Sequence, residues 1–156
     1  MKTGYWFAIA IPAFFVLIQL VGPEKTNPPV VSSRVVEKHL RMDPQVGEIL
    51  KRACQNCHSY QTRWPWYSNV APVSWFVIDN VNWGRRHMNF SDWAQYDREK
   101  AIQLLQEMCD TTQAQEMPLL PYIWMHEDAK VRQEEIDLLC QWSRQEQQRL
   151  REDESK

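Results

Sequence analysis

The chain has 156 residues, 44% hydrophobic and 24% charged, with a formal net charge of −2. That is the make-up of one ordinary globular domain, and it excludes a fibrous or wholly disordered class. Between Asp43 and Trp142 nine Lys/Arg stand against fourteen Asp/Glu, a balance of −5. Such a balance argues against a nucleic-acid partner and suits either a partner with a basic docking face or simple solubility.

Residues 1–22 differ from the rest. Lys2 precedes an uncharged run from Tyr5 to Val21 that includes Trp6, Phe7, Phe14 and Phe15. As a helix the run would reach about 26 Å, close to the lower limit for a bilayer. Pro12 would kink such a helix without abolishing it. A cleavable signal peptide is the rival reading, but Leu20-Val21-Gly22-Pro23 is a poor cleavage site. The expectation is an uncleaved signal anchor: a single transmembrane helix in the cytoplasmic (inner) membrane, with the body in the periplasm.

Residues 23–42 read as an extended tether, because Pro23, Pro28 and Pro29 deny a stable helix. Residues 43–142 form the domain proper. Asp43-Pro44 is a helix start, and Val46, Ile49, Leu50, Ala53 and Cys57 then recur at helical spacing. Gly47 inside that helix suggests a close contact. A second helix is predicted from Pro72 to Trp83, closed by Gly84, and a third from about Asp97 to Cys109. The last begins near Arg132 and carries Ile136, Leu139, Cys140 and Trp142. Nothing alternates with period two, so the fold class is all-α, with long Trp- and Pro-rich loops. Residues 143–156 read as a charged, solvated tail.

Cys54-Gln55-Asn56-Cys57-His58 carries the chemistry. Two thiols three residues apart share one face of a helical turn, and each can add to one vinyl group of the same porphyrin. The histidine that follows can then bind the iron. A structural zinc site would need four ligands, yet the other cysteines, Cys109 and Cys140, stand alone and far apart. A thioredoxin-like pair would follow a strand, and none is predicted here. The pattern points to one covalently attached haem c, with Cys54 and Cys57 as anchors and His58 as iron ligand.

Met117 is the candidate sixth ligand, since Met117-Pro118-Leu119-Leu120-Pro121 is a proline-stiffened loop that could hold a thioether against iron. The alternative is a core gap-filler. Met108 reads as a core residue, and Met42, Met88 and Met125 lack comparable framing. His126 is the best histidine rival, ahead of His87 and His39. Trp64, Trp66, Tyr67 and Trp75 are candidates to pack on the porphyrin or to fill the core. Arg85 and Arg86 could pair with a propionate or simply be solvated. Cys109 and Cys140 could bridge the third and fourth helices, although two buried free thiols would look the same in sequence.

With these residues in view, the chain resembles the membrane-anchored monohaem proteins of the haem-binding domain family. The matching stretches are Asn27-Pro28-Pro29, Cys54-Gln55-Asn56-Cys57-His58-Ser59, Thr62-Arg63-Trp64-Pro65-Trp66-Tyr67-Ser68 and Ala71-Pro72-Val73-Ser74-Trp75. They continue through Gly84-Arg85-Arg86, Asn89-Phe90-Ser91-Asp92-Trp93, Met117-Pro118-Leu119, Tyr122, His126 and Ala129. The resemblance implies a cytochrome c-like haem domain tethered outside the cytoplasm. Arg132 departs from the family's pattern, which tends to have serine there, and Cys109 and Cys140 lie outside it.

The expected function is one-electron transfer by a monohaem c-type cytochrome, or by the haem subunit of a respiratory or photosynthetic complex. Its partners would be membrane-bound or periplasmic redox proteins. The alternative is a haem-based sensor or peroxidase-like protein with an open or displaceable sixth site, for which His126 would be the distal acid–base residue.

Overall fold

A computed structural model describes residues 3–153. Among the described residues there are seven α-helices and no strand: α1 (Thr3–Ile18), α2 (Pro44–Ala53), α3 (Gln55–His58), α4 (Val73–His87), α5 (Arg98–Gln113), α6 (Leu120–Met125) and α7 (Gln133–Glu152). Short 3-10 helices fill several of the connections. The all-α patterning is therefore correct, but the membrane span is not. No helix among the described residues is long and apolar enough to cross a bilayer.

The cause lies where α1 ends. Its 16 residues rise about 24 Å, short of the ~30 Å hydrocarbon core. The residues that would lengthen it are spent elsewhere. Gln19 leaves the helix to clasp Ala71, giving Nε2–H to its carbonyl (3.2 Å) and accepting from its N–H (2.8 Å). Val21 offers its carbonyl to Trp75 Nε1–H at 2.7 Å. The single-pass anchor, and the inner-membrane placement built on it, do not hold.

The proline-rich stretch that follows is extended, yet it lies along the domain as a strap. Lys25 reaches Asn69, Asn27 Nδ2–H donates to the Thr62 carbonyl (2.8 Å), and Arg34 pairs with Asp92 at 2.5 Å. Its end enters the core. Val36 and Leu40 are buried beside Val46, Leu50, Leu104 and Leu139.

Helix α2 starts as its sequence dictates, with the Asp43 carboxylate accepting from the Gln45 N–H at 2.8 Å. It sets Val46, Ile49 and Leu50 into the core. Helices α5 and α7 form the main packed pair, joined by the Cys109–Cys140 disulfide. Closing a loop of that length is worth about 3–4 kcal/mol in the chain-entropy model. Helix α7 also runs past Trp142 through the supposed tail. Ser143 Oγ–H donates to the Leu105 carbonyl (2.6 Å), and buried Glu146 accepts from the Arg41 N–H (2.9 Å) and from Arg149. Residues 143–152 thus belong to the core helix.

Helix α4 was expected to stop before Gly84, but it continues to His87. Gly84 is needed for proximity. A Cβ there would lie 2.8 Å from the Cys57 carbonyl oxygen and 3.3 Å from its carbon. Gly47, which the sequence marked for a close contact, has room: its Cβ would meet only Met42 Cγ at 3.5 Å.

The start of α7 has a substitute for the missing serine cap. Glu135 reaches back to accept from the Arg132 N–H at 2.9 Å, and Arg52 of α2 pairs with it at 2.5 Å. Burial pushes this carboxyl up, but hydrogen bonds from Arg132 and Arg52 outweigh it and hold the group down at about 2.

Two predictions follow from this packing. Gly84→Ala should cost about 1–3 kcal/mol by overpacking against backbone, despite alanine's better helix propensity. Gly47→Ala should be neutral or stabilise by up to about 1 kcal/mol. Urea denaturation of the two variants checks the contrast, and equal midpoints would contradict it. Glu135 lies below its ordinary 4.5 when folded, so its contribution is present above that value and fades as pH falls toward 2. Wild-type stability should therefore decline more steeply than that of Glu135→Gln across that window, as read from denaturant midpoints against pH.

Candidate functional site

The Cys54–His58 turn, the candidate attachment turn for haem, is a corner. Helix α2 breaks at Cys54, whose φ of −120° and ψ of −36° leave helical geometry, and α3 restarts for one turn through His58. Both ends of this corner lie against the last turns of α4. Gly84 lets the helix touch the Cys57 carbonyl, and one helical turn later the Met88 carbonyl accepts from His58 Nδ1–H at 3.0 Å. Between them Arg85 Nε–H donates to the Ser59 carbonyl at 2.7 Å.

That Met88 bond fixes the histidine. With Nδ1 carrying the proton, Nε2 is left as a bare acceptor, the form a metal requires. Burial lowers the His58 pKa, which keeps the imidazole neutral. His58 is 8% exposed and faces a cavity of about 370 Å³.

The cavity holds Cys54, Cys57, His58 and Met117 on one wall or another, with Gly84 and Met88 of α4 beside them. Residues Leu104 and Met108 of α5 close the far side. Met117 is delivered by the way α5 ends. Gln115 takes the left-handed conformation (φ 58°), Gln115 N–H bonds Thr112 O (3.1 Å), and Glu116 N–H bonds Thr111 O (2.9 Å). This is a Schellman closure with glutamine where glycine is favoured, and it turns the chain so that residues 117–119 line the cavity.

The thiols are chemically quiet. Burial pushes Cys54 up to about 12, aided by neighbouring Cys57, and burial pushes Cys57 up to about 11 against the pull of Arg85. Both are free of each other in the fold. A dithiol oxidoreductase needs a lowered thiol pKa, so this pair is built for another use. Among the described residues no three His, Cys, Asp or Glu side chains converge on a metal position, which disfavours zinc. A soft, largely apolar crevice with two thiols, one neutral imidazole and one thioether fits haem.

Several sequence candidates lie elsewhere. Arg85 spends its guanidinium on protein: beyond Ser59, it donates to Thr26 O (2.7 Å), Asn27 Oδ1 (2.8 Å) and Thr62 Oγ1 (2.8 Å). It fastens the strap to the attachment turn. Trp64 lies over that guanidinium, 6.0 Å from ring centroid to Cζ. Trp75 holds Val21, and Trp66 and Tyr67 line a different cavity. His126 stacks on Tyr122 at 4.2 Å and is absent from the walls of the crevice. His39 points to the Ser33 carbonyl.

Glu107, Asn56 and the Met88 carbonyl are parts of the site that sequence reasoning missed, whereas His87, a rival ligand in the sequence, does line the crevice. Trp83 stacks on His87 at 5.2 Å, and His87 Nε2 meets Glu107 Oε2 at 2.9 Å across the α4–α5 gap. Tyr122 Oη accepts from Asn56 Nδ2–H at 2.7 Å, so a variable position inside the motif positions a wall of the site. No side-chain pattern announces the Met88 carbonyl. Trp83 could have been found by noticing that it precedes Gly84 on the same helix.

Comparison with known proteins agrees with this chemistry. A family model described as a haem-binding domain matches residues 13–145. No match was found among curated proteins or solved structures. The family match covers most of the chain and its whole crevice, so the chain belongs to the haem-binding domain family and haem is its cofactor.

Proposed function

We propose that the chain is a monohaem c-type cytochrome acting as a one-electron carrier, either free or as the haem subunit of an electron-transfer assembly. The observation that carries this reading is convergence. Cys54 and Cys57, which would form the thioether bonds, share one cavity with His58 and with Met117, some sixty residues further along the chain.

Bound there, haem would supply one reversible electron. The protein's part is to bind, fix and exclude water. The Met88 carbonyl holds the His58 ring in one orientation and one tautomer, so reorganisation at that nitrogen is small. Leu104 and Met108 give the α5 side of the cavity its apolar surface, and the Schellman turn brings Met117 to the same cavity. Two protein ligands would close the iron to substrate, which suits transfer of an electron better than turnover of a small molecule. The sensor or peroxidase-like alternative draws on an acid–base residue in the crevice; its candidate His126 lies outside, and His87, which lines the crevice, is engaged with Glu107 at 2.9 Å. The acidic balance of the domain favours a redox partner with a basic face.

The test is the optical spectrum of protein made in a host that installs haem c. The wild type should show the methionine-to-ferric-iron charge-transfer band and bind no carbon monoxide when reduced. Met117→Ala should lose the band and bind carbon monoxide readily. A variant with unchanged ligation spectrum would refute the assignment of Met117.

A further inference from the structure

A second cavity, of about 400 Å³, lies between α4 and α6 on the outer side of the attachment turn. It shares Cys57, Asn80, Leu119 and Tyr122 with the crevice, but Cys54, His58 and Met117 do not line it. The groups that would bind haem therefore leave this space to something else. Its volume falls in the range of small-molecule sites.

Its walls are aromatic and aliphatic: Trp66, Tyr67, Phe76, Val77 and Trp124 join Tyr122. Trp66 and Trp124 are each 73% exposed at its rim, an unusual cost for two large side chains with nothing to cover. Besides the two tyrosines the polar side chains on its walls are Asn56, Thr62, Arg63 and Asn80, of which Asn56, Thr62 and Asn80 give hydrogens to Tyr122 Oη, the Asn56 carbonyl and the Phe76 carbonyl. Tyr122 Oη already accepts from Asn56, so its own hydrogen is unspent. Tyr67 Oη stands 3.4 Å from His126 Nδ1, and that nitrogen also lies 3.2 Å from the Tyr122 carbonyl. A carbonyl can only accept, so the His126 proton goes there and the Tyr67 hydroxyl keeps its hydrogen to give. Burial raises the pKa of both phenols, which keeps them protonated.

We propose that this cavity binds a quinone-class molecule: a flat, apolar ring with acceptor oxygens, slotted between aromatic walls and met by the hydroxyls of Tyr67 and Tyr122. A hydrocarbon would leave both hydroxyls unanswered, and an anion would find one cation on the walls, the solvent-exposed Arg63. The ring would sit against Cys57, one of the two residues that would carry the cofactor. The site itself stands on the cavity's geometry and not on the cofactor reading.

Equilibrium dialysis of the full chain against menadione tests it, with 2-methylnaphthalene as the matching ring without oxygens. Menadione should saturate at one equivalent and bind at least tenfold tighter than 2-methylnaphthalene. Tyr67→Phe, which keeps the ring and removes the donor, should weaken menadione about tenfold and leave 2-methylnaphthalene unchanged. Val77→Trp should fill the space and abolish binding of both, with helical circular dichroism retained. Absence of saturable menadione binding, equal affinity for the two rings, or wild-type affinity in Tyr67→Phe would each overturn the assignment.

Discussion

The end of α4 pressed against the attachment turn is the constraint on which the rest of the molecule depends. Gly84 brings the helix to within a carbonyl's reach of Cys57, and only that closeness lets the Met88 carbonyl meet His58 one turn later. Arg85, lying between them, ties Ser59 and Thr62 to the strap. Three needs of the site (proximity, ligand orientation, loop anchoring) are thus met by three residues within one turn, Gly84, Arg85 and Met88, at the end of α4. A buried histidine so held has one tautomer and little freedom, which is what an iron ligand requires.

The N-terminal third shows how burial by polar contacts can redirect an apolar segment. Composition from Tyr5 to Val21 reads as a membrane span, yet Gln19 is the residue that ends the helix, because its amide finds both backbone groups of Ala71. The strap that follows is held at Lys25, Asn27 and Arg34, then sinks Val36 and Leu40 into the core. These partners are distant in sequence, so hydropathy alone could not reveal them.

What was legible in the chain had local causes. The Asp43 cap, the apolar stripes of α2, α5 and α7, and the all-helical class all come from spacing and propensity. The cysteine–histidine motif is likewise a local signal. What was not legible depends on tertiary partners. Gly84 looked like a helix stop because glycine usually is one; its neighbour across space gives the true reason. Ser143, Glu146 and Gln147 looked solvated because they are polar, but Leu105 and Arg41 supply them with partners. Arg85, just past the expected helix end, read as a propionate partner or a solvated cation, and its four acceptors in the strap and turn could not be seen in the sequence. Of the aromatic cluster after the motif, for which the sequence left porphyrin packing and core filling open, Trp66 and Tyr67 line the neighbouring cavity.

The account rests on covalent attachment of one porphyrin at the corner between α2 and α3. Intact mass spectrometry of chain produced in a host with haem c assembly measures this directly. The account predicts a denatured polypeptide heavier by one haem, and a species without that increment once Cys54 and Cys57 are both replaced by serine. A wild-type chain of unmodified mass would contradict it.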